Sequence, residues 1–534
     1  LYNRTFLNVP AASRTATTSY DATNYDPTKS VFTSTQAWLS PAATYMAIAP
    51  TESITLDLGS VRTIDGVGTM GRAANAECAL SYTIKVSSDN VNWTNLGMFV
   101  RNEDSKKLHY SDFDAPVSCR YVRVIPVDFV GSKALRLDVY TKSAVTPLAN
   151  NTQITQWEDV SGNGFDAMNI TAATTRPTYQ TNQINFNPAM VFSNAANSQL
   201  DMPDMSNIRA SYWVTQYTGD GADYDHVLYG STAPYFHGGV TNAIQFSGAM
   251  TAAQANWWKD GTLGSMATTY DVGANGHPNL ITSNALLPAT PISAETMSFQ
   301  TGQTRSWNGP IGEILTFQNA PTTAQQNVIE TYLGTKYGIS LGHDYVAADG
   351  TTKVYDLTAN AGYVSNIFGI GRSDSQGLHQ RQSKSVNASA LLTIGNNNTI
   401  DLANGNTASS GNDIGVNNSY LLVGDNAGAL DWTTSACSAT GPLGILQRYW
   451  KVQETGTIGS VKVQFDTRIT SGSTAWLPLA YDPARSVYLI VSNDAVFTDV
   501  GDTRVLMTYD ATTKAYSANV DLANGQFFTV AASM

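Results

Sequence analysis

The chain has 534 residues, enough for about three to four domains at roughly 100–200 residues each. Its formal charge of −12 argues against a basic face for nucleic acid or anionic lipid, and only 13% of residues are charged, against about 25% in ordinary proteins. The 42% hydrophobic content excludes wholesale disorder, and no apolar run approaches the roughly 18–20 residues of a membrane helix.

Taken in chain order, the pattern is that of an all-β protein. Apolar and polar residues alternate at 81–87, 120–125 and 461–465, which predicts strands with one face on a core and the other in water. Clusters of Gly, Asn, Asp and Pro between such runs supply turns. One segment departs from this: Val328, Ile329, Tyr332, Leu333 and Tyr337 recur at helical spacing. They predict a short amphipathic helix over 322–338, capped by Thr322 or Thr323 and ended by Gly338. The strand-like run Arg136-Leu-Asp-Val-Tyr140 before the polar stretch 144–151, and the end of the helix, place domain boundaries near 142 and 341, with tandem β-sandwich domains expected over 1–142, 143–341 and 342–534. The phrase Asp401-Leu-Ala-Asn-Gly405 recurs at Asp521–Gly525 and reads as two similar strand-to-turn exits. Of the three cysteines, Cys78 and Cys119 lie in the first third; one bridge between them and a set of unpaired thiols are equal alternatives. The surface, rich in Thr, Ser, Asn, Gln and Gly, fits a secreted protein, and the low cysteine use suits a bacterial outer surface. The start at Leu1, without a basic-then-apolar leader, reads as a processed or excised piece of a longer product.

In the first third, Leu56-Asp-Leu-Gly59, Ile64, Val67, 82–87, Trp93, Arg120-Tyr-Val-Arg123, Pro126 and Leu135-Arg-Leu-Asp138 fall in order over about 14–140. This resembles the discoidin, or coagulation-factor type C, domain, whose fold the family 32 carbohydrate-binding modules share. The resemblance implies an eight-stranded jelly roll with binding loops at one end, here 33–39, 70–77, 100–104 and 128–131. On those loops an exposed aromatic would stack on a sugar ring while Arg, Asn and Glu bond its hydroxyls, which makes Trp38, Arg72, Asn75 and Phe129 the candidate ligand-binding residues. The plainer reading of Trp38 and Phe129 is loop or core packing. Replacing Arg72 by Ala is expected to abolish sugar binding with little change in melting temperature. Arg120 and Arg123 have Asp57 and Asp138 as candidate ion-pair partners. The family's calcium site lies partly at an Asp-Gly that this chain replaces with Lys29-Ser-Val-Phe; Asp138 matches the acidic position near the domain's end.

In the middle third, Trp157-Glu-Asp-Val-Ser-Gly-Asn-Gly-Phe-Asp-Ala167, Arg176-Pro-Thr-Tyr179, Gly309–Leu315 and the helix resemble bacterial laminin-G or concanavalin A-like domains. The turn from Asp159 to Asn163 reads as self-capping. Asp220, Asp223 and Asp225 on a Gly-containing loop are candidate calcium ligands, with a solvated acidic loop as the plainer alternative. In the last third, 363–372, 378–385 and 448–454 resemble a β-rich module that follows such domains in large secreted bacterial proteins. Its stretch Gln380-Arg-Gln-Ser-Lys-Ser385 reads either as a polar ligand face or as the solvated side of a strand.

No GxSxG, HExxH or P-loop is present, and the six histidines are scattered. A glycosidase needs only two carboxylates, which can be distant in sequence, so the missing motifs do not by themselves exclude hydrolysis. The chain is expected to be non-catalytic: the ligand-binding region of a bacterial cell-surface or secreted adhesin for extracellular glycans or glycoproteins, without nucleic-acid partners or membrane insertion. Two alternatives stand beside it: a self-associating component of a surface filament, sheath or layer, and the accessory modules of a carbohydrate-active enzyme.

Overall fold

The computed structural model describes residues 2–40, 52–72, 77–100, 108–144, 148–161, 163–169, 173–219, 225–230, 235–238, 244–247, 255–264, 276–285, 292–298, 305–435, 443–468, 470–471, 474–475, 486–497 and 501–533. Strand is the main regular structure of these residues, in antiparallel sheets, as the alternation predicts. They form two compact units. The first takes in residues 1–148 and 156–168, and the second 149–155 and 169–534.

In the first unit the strand order is Tyr2–Phe6, Ala134–Ala144, Ile54–Met70, His109–Val130, Cys78–Ser87, Thr94–Val100. Arg14–Ala16 and Trp38–Leu39 add at the side. Ile54–Met70 changes register against His109–Val130 between Asp57 and Arg62 and again between Ile64 and Gly66. Such bulges bend and twist a strand, which lets one long strand serve more than one part of a sandwich. Ile54, Leu56, Ile84, Val86, Val122, Val124, Leu137 and Val139 point into one shared core, with Trp38 among them. Cys119 is a buried thiol in that core, so the bridge between Cys78 and Cys119 is not made. Burial pushes the Cys119 thiol up to about 11.

The stretch 156–168 belongs to this unit. Asp159 accepts from the Ser161 amide at 2.9 Å and the Phe165 amide at 3.0 Å, the self-capping role expected of the motif. Glu158 takes the Arg4 guanidinium at 2.7 Å.

The second unit begins with a sheet ordered Thr262–Leu263, Ala255–Lys259, Asn279–Ala285, Ala210–Thr215, Gly309–Phe317, Asn187–Phe192, Thr178–Ile184, Thr152–Gln153. The helix follows at Thr323–Tyr337. Thr322 caps it through a reciprocal bond with Gln325, and Gly338 closes it with φ 67°. Its buried face is more polar than the periodicity predicts: Gln326, Glu330 and Thr331 are buried, whereas Val328 is only half-buried. Beyond it, a sheet containing Ser365–Ser373, Ser419–Asp425, Trp450–Thr455 and Phe527–Ser533 packs on one containing Leu392–Asn396, Ser460–Asp466 and Ala515–Asp521. Trp450 stacks on Phe528 at 5.6 Å between them. A single apolar cluster runs through the helix, joining Tyr212 and Leu280 to Leu333 and Leu341 and on to Tyr355, Ile367 and Leu422. Of the two recurrent phrases, only Asp521 ends a strand directly. What the copies share is a left-handed glycine, Gly405 and Gly525.

Candidate functional site

The site grows from one buried cation on the strand Ala134–Ala144. Arg136 donates through Nε to the Gly71 carbonyl at 2.7 Å and through Nη1 to the carbonyls of Phe32 and Ser34, both at 3.0 Å. Three loop carbonyls are thereby pinned over one strand end, satisfying groups that would be costly to bury alone.

On that footing sits Arg72. Its Nε donates to Gln36 at 2.9 Å, Nη1 to Glu77 at 2.9 Å and Nη2 to the Tyr25 hydroxyl at 3.0 Å. The guanidinium carbon lies 4.9 Å from the centre of the Tyr25 ring. Tyr20 meets Tyr25 edge-on at 5.9 Å and is itself 57% exposed. Ser132 donates to the other Glu77 oxygen at 3.4 Å. Next to it, the Lys133 ammonium lies 5.7 Å from the Phe129 ring and 3.4 Å from Glu52. The result is a polar surface with an open aromatic at its rim, the arrangement that stacks on an apolar ring face and bonds hydroxyls.

Two of the four candidate ligand residues, Arg72 and the half-buried Phe129, lie in this group of loops. Trp38 does not: it has no exposed surface, and its indole donates to the Thr18 carbonyl at 2.8 Å inside the core. A side chain without an open face cannot stack on a sugar, which corrects that expectation. Asn75 lies outside the described residues. Because Arg72 holds three side chains at once, Arg72→Ala should loosen the loops as well as remove a ligand contact, and the expectation of an unchanged melting temperature falls with it. Tyr20, Tyr25 and Gln36 were not singled out by sequence reasoning. The cue was weak: Tyr20 and Tyr25 flank the Asx turn of Asp21, which accepts the Thr23 and Asn24 amides, and Gln36 is one polar residue among several on the 33–39 loop.

The calcium candidates fare differently. Asp138 is buried, accepts from the Val9 and Val139 amides, and lies 3.9 Å from the Arg14 guanidinium. Burial drives its carboxyl up despite those bonds. A cation-facing, amide-bonded carboxylate does not fit a site needing six to eight oxygen ligands. Asp225 is also committed, to Asn194 and Tyr217, both at 2.8 Å. Asp220 and Asp223 lie outside the described residues. Among the described residues, no three His, Cys, Asp or Glu side chains gather in a way that could hold a metal. Arg120 pairs with Asp57 as anticipated, but Asp138 pairs with Arg14.

In the second unit Gln380, Gln382, Ser383 and Ser385 are buried. They form neither a ligand face nor a solvated one. Asn187 donates to Gln380 at 3.1 Å and Asn185 to Ser383 at 3.0 Å, while the Lys384 amide donates back to Asn185 at 2.7 Å.

Residues 13–139 match the F5/8 type C domain, and residues 325–526 match a domain of unknown function (DUF8202). The chain is 28% identical over 141 residues to Neurexin-4 of Drosophila melanogaster, covering 25% of this chain. It is 34% identical over 100 residues to Neuropilin-1 of Gallus gallus, covering 17%. It spans 11% of the length of each of these curated relatives. Among solved structures it is similar to the family 32 CBM from C. perfringens NanJ in complex with galactose, at 17% identity and TM-score 0.22, covering 26% of this chain and 99% of that one. It is also similar to discoidin II of Dictyostelium discoideum, at 14% identity and TM-score 0.22, covering 59% of this chain and 92% of that one. Among the described residues, no helix is long and apolar enough to cross a membrane. The family match over residues 13–139 makes the N-terminal β-sandwich an F5/8 type C, or discoidin, domain.

Proposed function

We propose that the chain is a non-catalytic recognition region of a large bacterial cell-surface or secreted adhesin, and that the first unit binds extracellular glycans at the Arg72 loops. The observation that carries this reading is the 57% exposed Tyr20 ring beside the Tyr25–Arg72–Glu77 group. A discoidin domain supplies a fold on which such loops recognise ligands, and the weakly charged, hydroxyl- and amide-rich surface suits hydrogen-bonded sugar recognition. Fold by itself does not set function, so the weight rests on the loop chemistry. The middle stretch, with its laminin-G-like motifs, is a second candidate binder; two linked modest sites give useful avidity.

The test is a glycan array of the purified chain, with calcium and again with excess chelator, repeated with Tyr20→Ala. Specific hits lost in Tyr20→Ala at an unchanged melting temperature support the reading. Hits lost on chelation would place calcium in recognition. A blank array in both conditions overturns it and moves the weight to a self-assembling surface component.

A further inference from the structure

The first unit carries a second chemically marked surface along its sheet. Register places Thr55, Arg123, Lys85 and Asn95 side by side on four neighbouring strands. Their sequence neighbours Ile54, Leu56, Val122, Val124, Ile84 and Val86 are buried in the core, so the row lies on the opposite face, where Thr55 is buried, Arg123 and Lys85 are partly exposed and Asn95 is exposed. Lys85 lies seven residues along its strand from Cys78 at the loop end, about 23 Å at strand rise. The row is thus separate from the Arg72 loops.

Arg123 and Lys85 are directly opposite one another. Like charges so placed destabilise a sheet unless something compensates them. Among the described residues, neither makes an ion pair. The neighbouring Asp57 is taken by Arg120 through two bonds of 2.9 and 3.0 Å. Asp89 is occupied by the Val91 and Asn92 amides and the Ser87 hydroxyl. Although the chain has a net charge of −12, no carboxylate among the described residues is paired with either cation.

The Arg123 guanidinium is fixed in orientation. It lies 3.8 Å from the centre of the Trp93 ring, and its Nε donates to the Thr55 hydroxyl at 3.1 Å. That leaves its Nη groups, the Lys85 ammonium and the Asn95 amide N–H without protein acceptors among the described residues. Partial burial lowers the Arg123 pKa with no carboxylate to offset it. The row is rich in donors and poor in acceptors, which selects an acceptor-rich, anionic ligand. A planar guanidinium edge matches the two oxygens of a carboxylate.

We propose that this row is a second binding surface, for an acidic polysaccharide whose carboxylate sits between Arg123 and Lys85. Hydroxyls on the flanking sugars meet Asn95 and the hydroxyl of Tyr121, two residues from Arg123 along the same strand.

The test is calorimetric titration of the full chain with oligogalacturonate, with a neutral oligosaccharide and dextran sulfate as comparison ligands. Oligogalacturonate is expected to bind and to weaken as salt rises. Arg123→Gln and Lys85→Gln should each lower affinity roughly tenfold, the scale of one lost charge-assisted hydrogen bond. Tyr20→Ala should leave this binding intact, which separates failure here from failure of the loop reading. If Arg123→Gln does not fold, Lys85→Gln keeps the Arg–Trp stack and carries the test. No binding, binding unchanged in both variants, equal affinity for dextran sulfate, or self-association through this face in place of uronate binding would overturn the proposal.

Discussion

Trp38 and Arg72 show how little a residue's type says about which way it faces. Both were named on loops that the discoidin resemblance implies, and packing decided that one fills the core while the other braces the loops. Trp38→Ala should destabilise the first unit by about 3–5 kcal/mol, the usual cost of a large aromatic cavity, as read by denaturant unfolding. Arg72→Ala should lower both glycan affinity and the melting temperature, whereas Tyr20→Ala should lower affinity alone. His343 was one of six scattered histidines. Its Nε2 stands 2.6 Å from the buried Glu330 and its Nδ1 faces the Asp344 carbonyl at 2.8 Å, so two acceptors surround the ring and favour the imidazolium. Burial opposes the charge, but the Glu330 and Asp344 partners win and raise the His343 pKa. A raised histidine stabilises the fold fully below its unfolded value of about 6.5, and loses that contribution as pH rises through the higher folded value. The melting temperature of His343→Gln should therefore fall short of the parent chain most below pH ~6, and the gap should narrow in alkali. A gap that does not change with pH would contradict this.

At the scale of elements, the helix ends were readable because capping is local chemistry. Thr322 and Gln325 satisfy each other's backbone within four residues, so Thr322→Ala should cost about 1 kcal/mol. The helix's buried polar face was not readable, since Glu330 is tolerable there because Thr282, on a strand far off in sequence, donates to it at 2.6 Å, alongside Gln326 at 3.1 Å and His343 at 2.6 Å. The hairpin of Thr178–Ile184 and Asn187–Phe192 makes the same point. Asn185 and Phe186 occupy its two-residue turn at φ 47° and 62°, and Asn tolerates this region better than most residues. The turn's side chain then bonds residues about 200 positions away. Asn185→Ala should cost about 1–3 kcal/mol by leaving buried partners unmatched, and a double-mutant cycle with Ser383→Ala should show coupling.

At the scale of the whole molecule, composition was the informative layer. Low charge, turn-rich spacing and period-two runs marked an all-β chain, and one ordered set of anchors marked the discoidin domain. The apolar cluster of the second unit runs across residue 341, through Leu333, Ile339 and Leu341 to Tyr355 and Leu422. A fragment beginning at 342 would lose those helix-side partners. It should be less soluble and bind a hydrophobic dye more strongly than the intact chain, whereas retention of a sharp melting transition would show that the last third holds its own core.

Alternation, caps and turn residues are interactions over a few positions, and for these the amino-acid order by itself determined strand texture, the helix near 322–338 and the discoidin pattern. Which carboxylates are bound by amides, which aromatics face water, and which cations stand without an acid depend on register between distant strands. Those were decided by tertiary structure, because a side chain's surroundings come from neighbours that chain order does not place beside it.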